Sequence, residues 1–476
     1  MMLLLVVPAF AGWSEPVRIS EPGGCLYPRI LAQGDTLHVV YENSSAGGYI
    51  GYVGSSDAGQ SWSDFQILND TIATAEAVFP KIVSDGTKIM VLWKDYASHG
   101  PWIFNIGYAV SLDNGLTWGE PQNVLLDNWE FMNFFSVQGS DSIVSIIVSR
   151  WESPGLAFYS LRSTDFGESW SEPVELFRAI QSGRSDMTGY GNLIYFVWPG
   201  RFSMEEQAEI YCMRSSDGGI TWSSNMPISD IDEFHSQLPA IAADDAGHVG
   251  VTWMDFKYAP PGVTGDIFLR LSADSGSTWS AENQLTFDHK AYRSDLVLDS
   301  DTVQVIWEDA SLGMAARYID YIKSTDNGAS WSETYRVDAT EDDSWNPAMD
   351  ISNGKVYVVW VDAGYVSGMG VYFSKYENQT DVNDDIASLP NRTVLVAYPN
   401  PFNSITTISY ANLPSGAIAI FNIAGQKVAT LPAAAAEGQV TWDGTDATGS
   451  AVSSGIYFIR ANGATGAQTI KLVYLK

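Results

Sequence analysis

The chain has 476 residues, 42 of them Gly, 23 Tyr and 17 Trp, and a formal net charge of −31. Such a charge opposes binding to a nucleic-acid backbone or an anionic membrane surface, and two cysteines, Cys25 and Cys212, are too few for a disulfide framework. A Trp-, Tyr- and Gly-rich chain without long helical periodicity predicts short strands and turns, in two or three domains.

The first residues, "MMLLLVVPAFAG", read as the end of a secretory signal. The apolar run is too short to span a bilayer, and Ala9-Phe10-Ala11 offers a small-x-small cleavage site. Residues 1–11 are therefore expected to be a signal-peptide remnant, and no other segment is expected to cross a membrane. "WSEPVRIS" follows from Trp13, and it matches "WSEPVELF" from Trp170. It reads as a strand that has lost the turn before it.

Two units then alternate to residue 378. One is a hairpin that ends in an aromatic residue and an acid, as in "YPRILAQGDTLHVVYE", "FPKIVSDGTKIMVLWKD" and "NPAMDISNGKVYVVWVD". The other is an octapeptide, Ser-x-Asp-x-Gly-x-Ser/Thr-Trp. Its aspartates are Asp57, Asp113, Asp165, Asp217, Asp274 and Asp326, spaced by 56, 52, 52, 57 and 52 residues. The Asp is expected to accept backbone amides two residues on, the Gly to supply positive φ, and the Trp to start the next strand. Each repeat is thus four strands in about 52 residues, a propeller blade. Seven hairpins but six octapeptides predict an all-β, seven-bladed ring whose last blade is completed by Trp13–Ile19; a six-bladed ring is the alternative. Closure leaves no unpaired sheet edge.

The six octapeptides resemble the Asp box, or bacterial neuraminidase repeat, of sialidase-like β-propellers, and the resemblance covers about residues 13 to 378. It implies a structural role for the six aspartates. In that family three arginines grip a substrate carboxylate, a Glu-assisted Tyr is the nucleophile and an Asp is the acid/base. The first family arginine lies in a Phe/Tyr-Arg-Ile-Pro stretch. The nearest text here is Tyr27-Pro28-Arg29-Ile30, with the Pro on the other side of the Arg, and "VVYENSSAGGY" carries no second family arginine. Two functions stay open: a module that binds a glycan or cell-surface protein, and an exo-α-sialidase or related glycoside hydrolase.

The face opposite the octapeptides is the expected ligand face. There the inner-strand position of Arg29 aligns with Lys81, Ser136, Asp186, Ala240, Asp295 and Ala348. Arg184 and Arg293, each in an "RSD" triplet, lie at the same end, and with Arg29 they form a candidate carboxylate or anion site. The bland reading pairs Arg184 with Asp186 and Arg293 with Asp295 on the surface. Asp95, Asp255, Asp309 and Asp362, each two residues after a Trp, offer the carboxyl groups that glycoside hydrolysis needs. Their bland reading is that each folds its own loop. Trp102, Trp129, Trp151 and Trp345 are candidates to stack on sugars, or else pack between loops. No metal-ligand set or cofactor motif is read; the acidic surface is compatible with calcium.

Residues 379–390 read as a polar, acidic linker. Residues 391–476 alternate strands with Gly/Asp turns, as in a small β-sandwich. "YPNPFN", "WDGTD", "SGIYF" and the Lys-ending last strand resemble type IX secretion sorting domains of the FlgD-like immunoglobulin type. That resemblance implies the type IX secretion machinery as a partner, and a protein secreted from, or attached to the outside of, a Gram-negative bacterium.

Overall fold

In the computed structural model the described residues are 12–45, 48–69, 76–95, 103–124, 129–130, 132–260, 263–311, 317–338, 342–364 and 368–377, then 394–398, 402, 404–411, 416–423, 425–433, 438–463 and 466–474. The signal remnant, the linker and Trp102 lie outside them. The chain divides into two compact units, Met1–Asn378 and Gln379–Lys476. Among the described residues there is no α-helix.

Among the described residues the first unit shows seven antiparallel sheets. Their innermost strands are Cys25–Gln33 (sheet I), Ala77–Ser84 (II), Met132–Ser140 (III), Asp186–Tyr190 (IV), Ser236–Ala243 (V), Ala291–Asp299 (VI) and Ser344–Ser352 (VII). Each packs on the innermost strand of the next sheet, and Ser344–Ser352 returns to Cys25–Gln33. Side chains stitch the circuit. The Asp350 carboxylate accepts the Ala32 amide (2.8 Å), Asp295 the Met349 amide (3.0 Å) and Asp186 the Ile241 amide (3.3 Å). The second strands are almost continuously buried, and Trp93, Trp198, Trp253 and Trp360 on them lie fully buried between sheets.

Sheet VII takes its outermost strand from the N-terminus. Val17–Arg18 pairs with Phe373 and Tyr372, Trp13 bridges to Tyr376, and the Ile19 amide donates to Val371 O at 2.9 Å. Trp13 is buried, edge-on to Tyr321 at 5.1 Å.

The octapeptides form six near-identical turns, and their chemistry differs from the expectation in two respects. The Asp57 carboxylate accepts the amide and hydroxyl of Ser61, four residues on, at 2.9 and 2.6 Å. The leading Ser55 hydroxyl donates to Asp57 and accepts the Gly59 amide, so two side chains close the turn together. The same bonds recur around Asp165 and Asp326. The Trp does not begin a strand. It lies half-buried against the preceding sheet: Trp62 on Phe373, Trp118 on Tyr52 and Trp170 on Tyr108. The outermost strand starts only afterwards and is short, as in Gln66–Ile67.

Among the described residues the second unit shows a three-stranded and a four-stranded antiparallel sheet. They share a core of Phe402, Ile408, Ile418, Ile459 and Leu472 around Trp442.

Candidate functional site

Near its start, each innermost strand carries an irregularity. The register shifts between Leu26 and Arg29, Val78 and Lys81, Gln237 and Ala240, Tyr292 and Ser294, and Trp345 and Ala348. The residue at the shift has positive φ: 49° at Tyr27, 55° at Phe79, 54° at Leu238, 39° at Arg293 and 53° at Asn346. A β-bulge re-aims the side chain it carries. In sheet IV the same place is the break between Gln181–Ser182 and Asp186–Tyr190, and it holds Arg184. Holding bulky residues at positive φ is costly and is typical of ligand sites.

All seven innermost strands contribute to one cavity of about 180 Å³. Arg29, Lys81, Arg184 and Arg293 line it, with Asp186 and Asp295. A second compartment of about 320 Å³ shares the four cations and adds Lys94 and an apolar shelf of Tyr27, Phe79, Pro80 and Phe135. The Tyr27 ring lies under two guanidinium groups, 5.5 Å from Arg184 Cζ and 5.7 Å from Arg293 Cζ.

The two surface pairs of the bland reading do not form among these residues. Asp186 instead faces Lys81 across the cavity at 3.2 Å. Both Asp295 oxygens are held by backbone amides, of Leu296 and Met349. Arg293 donates to the Asn346 side chain and lies 3.9 Å from the buried Glu308. Arg29 donates to Pro28 O at 3.1 Å. The cations thus crowd one another. Burial, then the charges of Arg29 and Arg293, push the Arg184 guanidinium below its usual range. Burial pulls Lys81 down to about 8, opposed by Asp186 and reinforced by Arg29 and Arg184. Lys94 is drawn to about 8 by burial alone.

The four rim aspartates are absent from the residues lining either compartment. Asp255 accepts the Lys257 amide, Asp309 the Ser311 amide and Asp362 the Gly364 amide, each two residues on. Asp95 is half-buried at its strand end, and burial raises it. Trp151 is exposed, and Trp345 stacks with Arg317 at 5.1 Å. Trp129 lies in a short strand at the edge of sheet II. Among the described residues no group of His, Cys, Asp and Glu is arranged to hold a metal.

Tyr27, Phe79 and Lys94 line the site although no sequence motif marks them as site residues. A signal was there: two residues before the Arg29 position, the seven hairpins align Tyr27, Phe79, Phe134, Arg184, Leu238, Arg293 and Asn346.

The profile of the secretion system C-terminal sorting domain matches residues 396–475. Such a domain indicates a secreted or surface-attached protein. No curated protein sequence matches the chain. Among solved structures, polysaccharide lyase Uly1 superposes with a TM-score of 0.51 at 9% identity, over 75% of this chain and 90% of that one. The α-L-arabinanase of Penicillium chrysogenum superposes at 0.46, with 12% identity over 77% and 98%. The intramolecular trans-sialidase of Ruminococcus gnavus gives 0.43, with 12% identity over 77% and 96%. At 9% identity the likeness to Uly1 is one of fold alone.

Proposed function

We propose that the protein is an exported, seven-bladed Asp-box propeller that binds an anionic glycan in the cavity at the centre of its ring, on the face away from the octapeptide turns. One observation carries the reading: Arg29, Lys81, Arg184 and Arg293 converge on a cavity to which every innermost strand contributes. In a chain of net charge −31, like charges crowded in a partly buried place call for an anion that relieves them. The apolar shelf beside them suits the face of a sugar ring. The C-terminal unit, with its two sheets on one core, serves in this reading as a FlgD-like immunoglobulin-type sorting domain for type IX export across the outer membrane.

Binding without catalysis is favoured. Hydrolysis needs two carboxyl groups in distinct environments flanking the scissile bond. The two carboxylates in the cavity are committed, Asp186 to Lys81 and an amide, and Asp295 to two amides. A sialidase-type hydrolase is the second reading, favoured by the Tyr27 ring lying among the arginines. It would require a carboxylate to activate that hydroxyl.

Titration of sialic acid and of neutral oligosaccharides against the wild type, Arg29→Ala and Arg18→Ala tests the proposal. A charge-assisted hydrogen bond contributes ~1.5–3 kcal/mol, so Arg29→Ala should weaken anionic-sugar binding roughly tenfold or more. Arg18, on the outermost strand of sheet VII, should be replaceable without effect on binding. Equal binding by wild type and Arg29→Ala would remove the anion site. Turnover of a fluorogenic sialoside that disappears with Arg29 would establish the hydrolase.

A further inference from the structure

We propose that Glu308 and Asn346 are the positioning residues of the anion site: they hold Arg293 so that the Nε–Nη2 edge of its guanidinium is turned to the ligand's carboxylate. The inference rests on the anionic-glycan reading and names what organises that site.

Glu308 follows the buried Trp307 on the second strand of sheet VI, Thr302–Asp309. Its ladder partner is Tyr292, the neighbour of Arg293. The side chain is fully buried. One carboxylate oxygen accepts the Asn346 amide of sheet VII at 2.8 Å and lies 3.9 Å from Arg293 Nη1. The other accepts Arg317 Nη1 at 3.0 Å. A buried carboxylate persists only when it is paired and hydrogen-bonded, and Glu308 meets both conditions at once.

Arg317 has a carboxylate of its own. Its Nε and Nη2 each donate to Asp343 at 3.0 Å, its amide donates to the same group at 2.8 Å, and its guanidinium stacks on Trp345. Among the described residues Glu308 is the one carboxylate paired with Arg293. The cluster is thus ordered towards the cavity: Asp343 locks Arg317, Arg317 fixes Glu308, and Glu308 faces Arg293.

Asn346 completes the hold. Its amide is fixed by Glu308, and its side-chain oxygen accepts Arg293 Nη1. Arg293 and Asn346 are both bulge residues, with φ of 39° and 53°, so one carboxylate ties the bulge of sheet VI to that of sheet VII. Glu42 accepts the Phe79 amide at 3.2 Å in the same way; Glu308 adds an arginine to that task.

With Nη1 engaged, Arg293 Nε is buried without a partner. Nε and Nη2 share one edge of the guanidinium plane, and such an edge meets a carboxylate through two parallel hydrogen bonds. An orphaned buried donor is costly, and a ligand oxygen at that edge would satisfy it. Arg293 lines both compartments, and the Tyr27 and Tyr292 rings flank its guanidinium, 5.7 and 5.3 Å from Cζ.

Calorimetric titration of the full chain with sialic acid and with glucuronic acid tests this, with melting temperatures measured alongside. Glu308→Gln removes a negative charge beside the cations, which by itself would tighten anion binding; loss of the hold on Arg293 weakens it. Glu308→Gln should bind roughly tenfold more weakly than the wild type, and Arg293→Met should do likewise. The two losses should not add: once Arg293 is gone, Glu308→Gln should cost nothing further. Unchanged or tighter binding by Glu308→Gln overturns the inference, and so do additive losses in the double variant. Asn346→Gly keeps the amide and tolerates the positive φ while it removes the side-chain acceptor, and it decides if Glu308→Gln does not fold. It should weaken binding only while Arg293 is present, and undiminished binding overturns the inference. Failure of both sugars to bind the wild type removes the anionic-glycan reading itself, and this inference with it.

Discussion

Arg184 gathers the energetic argument at the scale of a residue. Its guanidinium is half-buried, stacks on Tyr27 and meets the charges of Arg29 and Arg293. The lysines beside it give the site a pH signature. Lys81 and Lys94 lose their protons as pH rises through about 8, whereas a ligand carboxylate or sulfate stays charged throughout. Affinity for an anionic sugar should therefore be full near pH 6.5 and fall steeply by pH 9.5, and Lys81→Met should flatten the fall. A wild-type affinity constant over that interval would contradict the assignment. The three arginines were legible in the sequence because repeats align, and an uneven ring position on an even scaffold stands out. The shelf was not legible, because a bulge re-aims Tyr27 and Phe79 by a backbone change that periodicity does not encode. The rim aspartates carry two readings in sequence, a reacting acid or a loop-former, and Asp255 and Asp362 each accept an amide of their own loop.

At the scale of the element, the octapeptide is a turn that also joins two sheets. Gly59 has φ +80°, and an added Cβ would run into the Phe373 ring of sheet VII. Gly86, in the hairpin turn of sheet II, has φ +93° and open space around its Cβ. Both alanine variants meet the left-handed penalty of roughly 1–2 kcal/mol. Gly59→Ala adds an overpacking cost of about 1–3 kcal/mol. Chemical denaturation should rank Gly59→Ala clearly below Gly86→Ala; equal losses would mean that the Gly serves the turn alone. The consensus revealed the turn, but the partner of its Trp lies in the preceding sheet. Phe373 is more than 300 residues from Trp62 in sequence, and no local pattern announces such a contact.

At the scale of the whole molecule, closure and charge set stability. Counting hairpins against octapeptides exposed the missing outer strand, and Val17–Arg18 on Phe373 and Tyr372 fills that place. Removing residues 12–20 deletes the buried Trp13, whose loss alone should cost about 3–5 kcal/mol, and exposes the edge of Gly370–Glu377. A marked drop in melting temperature is expected, and an unchanged one would show that the ring needs no N-terminal strand.

Two sets of carboxylates oppose one another in acid. Burial raises Glu42 and Asp350 to about 7 and Asp295 to about 6. The folded chain therefore holds these protons more tightly than the unfolded chain, and stability should rise as pH falls from about 7 towards 4. Hydrogen bonds from Ser61 and Thr221 lower Asp57 and Asp217 to about 2. Their contribution is present above the unfolded value near 4 and is lost as pH falls through about 2. Melting temperature should thus peak in mild acid and drop below pH 4; a monotonic fall from pH 7 downward would contradict this.

The most direct test of the central claim is a crystal structure of the protein grown with an anionic sugar. The carboxylate is expected between Arg29, Arg184 and Arg293, with the ring on the Tyr27–Phe79 shelf. A sugar bound on the octapeptide face, or the cavity left empty while the sugar binds elsewhere, would contradict the account.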